Sequence, residues 1–339
     1  MSAQAEYRQL GKSGLRVSVP VLGGMTIGSS QWLPWVLSER ESLDLLKAAW
    51  DHGVNTVDTA NVYSNGESER LIARFISENN IRRENIVIMT KINFLVGHEP
   101  STFTFAMPNL SDTREFVNQG GLSRTAILSQ VDASLERLNT TYLDLLQIHD
   151  FDPVTPIEET MCALHDLIRT GKVRYIGACR LKLWQFAAMN EVAKTNGWTT
   201  FTSIQVEHSL LYRPEELEMF AYCNYNGIGI LSFSPLMDGH LARPVGTETG
   251  RTKFINGTPY EKPRRPCDVQ IIKRVEELAK NRSLTMSQVA LAWSLTKVSS
   301  PIVGANTGPR LAQCIPANFV LTAEEVKHLE EPYEYQAPR

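Results

Sequence analysis

Short β-rich apolar runs alternate with amphipathic helical stretches along nearly the whole chain, and that alternation limits the possible folds more than any other feature. Strands are expected within 17–24 and at 55–59 (NTVDT), 85–92 (NIVIMTKI), 142–149 (YLDLLQIH), 173–179 (VRYIGAC), 202–209 (TSIQVEHS), 227–236 (GIGILSFSPL) and 300–305 (SPIVGA). Helices are expected between them at 39–52, 67–79, 123–138, 156–171, 183–197, 214–227, 267–281 and 285–297, with a final helical stretch. Start and stop residues support these bounds: Ser38 and Ser123 sit at cap positions, Gly53 closes the helix that Ser38 caps, and Pro156 opens a helix that Gly171 closes. Strands alternating with helices give a parallel sheet, and eight such units close naturally into a (β/α)8 TIM barrel. The competing architecture is a doubly wound open sheet, but no GxGxxG follows the first strand. The 339 residues suit one barrel domain over 1–339 with insertions.

Three segments lie outside the rhythm. The start, LGKSGLRVSVPVLG, reads as a small hairpin that plugs one mouth of the barrel. Segments 93–121 and 237–266 are long, and each follows a strand. Both therefore belong to the C-terminal face, where barrel active sites sit.

The net charge of −3, with Lys and Arg scattered, gives no case for nucleic acid or an acidic membrane surface as partner. Five cysteines, Cys162, Cys179, Cys223, Cys267 and Cys314, contain no CxxC pair, which disfavours a zinc site or disulfide framework. No apolar run reaches the roughly 18 residues that span a bilayer. The N-terminus carries no apolar core of signal-peptide length, so the expectation is a cytoplasmic protein acting on a small molecule.

Four ionisable residues fall at or just past successive strand ends: Asp58, Tyr63, Lys91 and His149. Singly, each has an ordinary structural role available: a helix cap, a packed ring, a wet rim, a hydrogen-bonded core residue. Together they would converge on one mouth. Hydride delivery to a carbonyl carbon builds charge on the oxygen, so it needs a proton donor and a stabilised oxyanion. A tyrosine, with an ordinary pKa of about 10, becomes a better donor beside an ammonium. In that scheme Tyr63 is the acid, Lys91 lowers its pKa, Asp58 holds Lys91, and His149 orients the carbonyl oxygen.

These positions and the segments around them (GVNTVDTANVYSNGESE, IVIMTK, SLERLNTTYLDLLQIHDFDP, GKVRYIGAC, SIQVEHSLLYR, ILSFSPL) resemble the aldo-keto reductase superfamily over essentially the full chain. VNQGGLSR, WQFAAMNEVAKTNGW and HSLLYRPEE resemble most the fungal branch that includes versiconal hemiacetal acetate reductase, which suggests secondary metabolism or general carbonyl reduction. The resemblance implies the Asp58-Tyr63-Lys91-His149 tetrad and an extended nicotinamide cofactor, NADPH with NADH as the alternative. It places Gly24, Met25 and Asp58 among the cofactor contacts and Cys179, Arg180 and Gln205 at the nicotinamide, with Phe233 stacking on it. Ser234, Leu236, Asp238 and Gly239 would follow the pyrophosphate. Gly304, Asn306, Arg310 and Gln313 would hold the adenosine end, with Arg310 on a 2′-phosphate and Arg251, Arg264 and Arg265 within reach of it. Met237 and the Gln313-Cys314 pair depart from the family's usual Gly and Glu-Asn. Trp32, Trp35 and Phe94 would wall the substrate pocket, under a lid of Phe103, Phe105 and Phe116. Two other classes stay open here: a weakly active cofactor-binding regulatory subunit, and a lyase using Lys91 as a Schiff-base nucleophile.

Overall fold

Eight parallel strands close into a barrel in the computed structural model, which describes residues 4–107, 109–248, 250–258, 261–262, 264–315 and 319–338. The barrel strands are β3 (Val21–Gly23), β4 (Thr56–Asp58), β5 (Val87–Ile92), β6 (Leu143–Ile148), β7 (Val173–Cys179), β8 (Ser203–Glu207), β9 (Gly229–Phe233) and β10 (Ser300–Val303). They pair in chain order and β10 closes on β3. Helices α1 (Glu39–Asp51), α2 (Glu67–Glu78), α3 (Arg124–Arg137), α4 (Ile157–Arg169) and α5 (Leu183–Thr195) fall between successive strands within two residues of the expected bounds. The Ser38 cap forms a capping box with Glu41, and the Ser123 hydroxyl accepts the Ala126 N–H.

Two expected elements differ. The first strand, expected within 17–24, divides at Pro20. Arg16–Val19 (β2) pairs antiparallel with Glu6–Gln9 (β1), and only Val21–Gly23 enters the barrel. Proline offers no N–H to a ladder, so Pro20 falls at the junction. The helix expected at 214–227 is a 3₁₀ turn, Pro214–Glu216, followed by α6 (Met219–Asn226), because Glu218 has non-helical dihedrals. After β9 come a 3₁₀ turn (Met237–Ala242), a short helix α7 (Gly250–Ile255), α8 (Pro266–Arg282) and α9 (Met286–Ser294). After β10 come α10 (Gly308–Ala312) and α11 (Ala323–Glu330).

The β1–β2 hairpin closes the N-terminal mouth. Leu10, Leu15 and Val17 join Val21, Met89, Leu145, Leu231 and Ile302 in one apolar cluster inside the barrel. The Lys12 N–H donates to the Gly227 carbonyl at 2.7 Å. Gly11 (φ +61°) packs so closely that a Cβ there would lie 2.4 Å from the Gly229 nitrogen. One pleat repeat above Met89 and Leu145, the same strands turn Lys91 and Gln147 to the interior. The barrel is thus apolar at its floor and polar toward its C-terminal end. Ile88, Ile92, Leu146 and Ile148 face outward into the larger core between strands and helices.

No helix among the described residues is long and apolar enough to cross a membrane, and no cluster of metal-ligating residues is found among them. All five cysteines are free.

Because Leu10 is wholly buried at the floor, Leu10→Ala is expected to cost about 2–5 kcal/mol of stability. Urea unfolding measures this, and ligand binding at the opposite mouth should be unchanged.

Candidate active site

Asp58 ends β4, and Lys91 points inward from β5, wholly buried. Lys91 Nζ donates to Asp58 Oδ2 at 2.5 Å and to the Thr59 carbonyl at 3.0 Å. Asp58 Oδ1 accepts from Gln147 Nε2 at 2.8 Å and from Gln205 Nε2 at 3.0 Å. Gln205 Nε2 also donates to Gln147 Oε1 at 3.0 Å, and the Cys179 thiol donates to Gln205 Oε1 at 3.7 Å. Every oxygen of the buried carboxylate therefore has a donor, the condition under which a buried charge is tolerated.

Tyr63 stands on the tight turn after β4, where Ser64, Asn65 and Gly66 all have positive φ. Its hydroxyl lies 3.4 Å from Lys91 Nζ. His149 follows β6 and meets the Tyr63 ring edge-on at 5.7 Å. The structure thus brings all four sequence-predicted residues together.

Burial pushes the Tyr63 phenol above its ordinary 10.0, and the Asp58 charge adds to this. Lys91 pulls the other way without prevailing, so the lowering expected from the ammonium is only partial. The phenol therefore keeps its proton at neutral pH. Burial opposes the Lys91 charge, but the Asp58 carboxylate and the Tyr63 oxygen more than offset it and hold the ammonium above its ordinary range. An ammonium so held is a poor Schiff-base nucleophile, which argues against the lyase reading. Burial, then Lys91 and Arg180, drive His149 well below 6.5, leaving the ring neutral. Among the described residues its buried Nδ1 has no partner. Burial pushes the Cys179 thiol up to about 12.

A cleft of about 1100 Å³ opens above this group. Lys91 lies beneath it, while Asp58, Tyr63, His149 and all the residues expected around a cofactor line it: Gly24, Met25, Cys179, Arg180, Gln205, Phe233, Ser234, Leu236, Asp238, Gly239, Gly304, Asn306, Arg310 and Gln313. Gln205 spends its amide on Asp58, Gln147 and Cys179, and Asp238 lies 3.6 Å from Lys262 Nζ. Arg265 is tied to Asp268 at 2.8 Å and to the Glu334 carbonyl, and neither it nor Arg264 lines the cleft. The Arg251 side chain lies outside the described residues. Arg243 takes the place expected of these three: it lines the cleft beside Arg310, and burial together with Arg310 lowers its pKa. Among the described residues neither guanidinium has a carboxylate at ion-pair distance.

Trp32, Trp35, Phe94 and Phe105 also line the cleft. Phe103 packs on Trp32 at 6.0 Å. Phe116 does not belong to this lid: it is buried inside the insertion, 5.3 Å from the His98 ring.

The aldo/keto reductase family model matches residues 21–334. The chain belongs to the aldo/keto reductase family. It is 47% identical to aldo-keto reductase AFTS1 of Alternaria alternata, over 99% of this chain and 94% of that protein. It is 44% identical to versiconal hemiacetal acetate reductase of Aspergillus parasiticus, over 97% of each. It is 40% identical to the putative aryl-alcohol dehydrogenase AAD16 of Saccharomyces cerevisiae, over 98% of each. The relationship supports an oxidoreductase acting on carbonyl compounds, in a family that uses NAD(P)H.

Two residues of this reductase's site escape a reading by motif. Gln147 is one, although its position two before His149 on one strand gives it the same inward face. Arg243 is the other, because a charge in a long loop carries no periodic signal.

The neutral His149 has a consequence for stability. The folded reductase refuses a proton that the unfolded chain accepts near 6.5. Stability is therefore present above that pH and falls below it, by up to about 1.4 kcal/mol per pH unit. Urea titrations between about pH 7 and pH 5 should show a shallower decline for His149→Gln than for the wild type. Equal slopes would contradict the buried neutral ring.

Proposed function

We propose that this chain reduces an aldehyde or ketone to an alcohol with NADPH, using Tyr63 as the general acid. The observation that carries the reading is the Tyr63 hydroxyl at the cleft floor, 3.4 Å from the buried Lys91 Nζ that Asp58 holds in place. NADPH supplies the hydride that adds to the carbonyl carbon. Tyr63 gives its proton to the carbonyl oxygen as negative charge builds there. The phenolate left behind is stabilised by Lys91, whose charge is fixed before the reaction begins. Asp58 positions Lys91, with Gln147 and Gln205 bonded to its other oxygen. His149, a neutral ring on the cleft wall, has one N–H with which to orient the carbonyl oxygen.

NADPH rather than NADH is favoured by Arg243 and Arg310. Two adjacent guanidiniums, neither with a carboxylate at ion-pair distance among the described residues, suit a phosphate that can bond both. Phe233, at the end of β9, offers a ring for the nicotinamide, and Gly239 and Gly304 let backbone approach an extended ligand. An aromatic or apolar carbonyl is the substrate class. The aromatic wall supports it, and one relative carries an aryl alcohol in its name.

Tyr63→Phe is expected to lower kcat/KM for an aromatic aldehyde by at least about 100-fold, while NADPH binding, followed by cofactor fluorescence, is retained. Full activity in that variant would refute the assignment. Arg243→Ala with Arg310→Ala should weaken NADPH binding by about 100-fold or more and leave NADH binding unchanged. An equal loss for both cofactors would contradict the phosphate role.

A further inference from the structure

We propose that Asn65 is a positioning residue that sets substrate selectivity by locking the aromatic lid to the turn that carries Tyr63. The proposal rests on the reductase reading above. Six rings form a closed circuit over the cleft. Tyr63 meets Trp32 at 6.2 Å, Trp32 meets Phe103 at 6.0 Å, and Phe103 meets Phe105 at 5.5 Å. Phe105 meets Phe94 at 4.9 Å, Phe94 meets His149 at 5.0 Å, and His149 returns to Tyr63 at 5.7 Å.

Tyr63, Phe94 and His149 stand within five residues of a strand end, and Trp32 lies in the loop between β3 and α1. Phe103 and Phe105 ride further along the 93–121 insertion, and Phe105 is 44% exposed. Ring contacts of about 0.5–1.5 kcal/mol each would hold that arc only loosely. Asn65 supplies the missing fixation. It is 4% exposed, two residues after Tyr63, and its whole amide is committed to the insertion. Its Oδ1 accepts the Gly97 N–H at 2.8 Å. Its Nδ2 donates to the Glu99 carbonyl at 2.8 Å and the Thr102 carbonyl at 2.7 Å, with Pro100 O further off at 3.5 Å. Both N–H donors of the amide and its carbonyl oxygen are thus engaged with the insertion.

The backbone asks for the same residue. Asn65 has φ +53°, a left-handed conformation that asparagine tolerates better than most L residues. One side chain thereby ties the acid-bearing turn to the segment that closes the collar. With the collar fixed, a flat aromatic carbonyl meets ring faces and edges already in place, and binding does not spend free energy on ordering them. A small aliphatic carbonyl fills less of the collar and depends on it less.

Asn65→Asp and Asn65→Gly test this, since both residues tolerate positive φ. Aspartate keeps the acceptor for Gly97 but sets a carboxylate against three carbonyls, and glycine removes the clamp. Amide hydrogen exchange of the ligand-free protein should rise over 97–106 by about tenfold or more in both variants, with the barrel strands unchanged. The ratio of kcat/KM for naphthaldehyde to kcat/KM for butanal, with NADPH, should fall about tenfold. Unchanged exchange over 97–106 overturns the clamp whatever the activity. Raised exchange with an unchanged ratio overturns the selectivity role. A wild-type chain that binds NADPH yet reduces neither aldehyde sinks the reductase reading, and the selectivity role with it.

Discussion

The ion pair between Asp58 and Lys91, buried inside the barrel, is the constraint on which the rest of the site depends. Taking two charges out of water is costly, and a buried pair is tolerated only with close geometry and every remaining lone pair satisfied. Gln147 and Gln205 meet that condition from β6 and β8, and the Thr59 carbonyl meets it from the turn after β4. Strands β4, β5, β6 and β8 are therefore committed to one carboxylate and one ammonium. Tyr63 then stands beside a positive charge whose position is set by the barrel rather than by a loop.

The division along the barrel axis follows from this cost. A charged layer needs a rigid, dry floor, and the hairpin residues Leu10, Leu15 and Val17 supply it from the N-terminal mouth. The opposite mouth is left for loops. There the 93–121 insertion brings aromatic rings, and the segment after β9 brings Arg243 next to Arg310. Stability and chemistry sit at opposite ends of the same strands.

Much of this is legible in the amino-acid sequence, and particular residues show why. Strands such as 173–179 carried both a period and clear boundaries, and β7 has those bounds. The tetrad was readable because each member sits at or just past a strand end, where parallel topology itself forces convergence. The break at Pro20 was missed because an apolar run on both sides masks a missing N–H. The split of 214–227 was missed because nothing in that run marks Glu218 as non-helical. Gln147 looked like filler in a strand, and its role appears only once Asp58 is seen to need a second donor. Arg243 and Asn65 act through loops, where position is set by tertiary contacts alone. The phenol's direction of shift also required the structure, since it depends on how completely Tyr63 is buried.

The central claim is that the buried pair stands beside a phenol that keeps its proton. Its most direct test is the ionisation of Tyr63 itself, followed by carbon-13 tyrosine resonances assigned with Tyr63→Phe. The account predicts that the phenol ionises above its ordinary 10.0, and higher still in Lys91→Met, where the opposing ammonium is gone. A phenol that ionises below that value, or that is indifferent to the loss of Lys91, would contradict it.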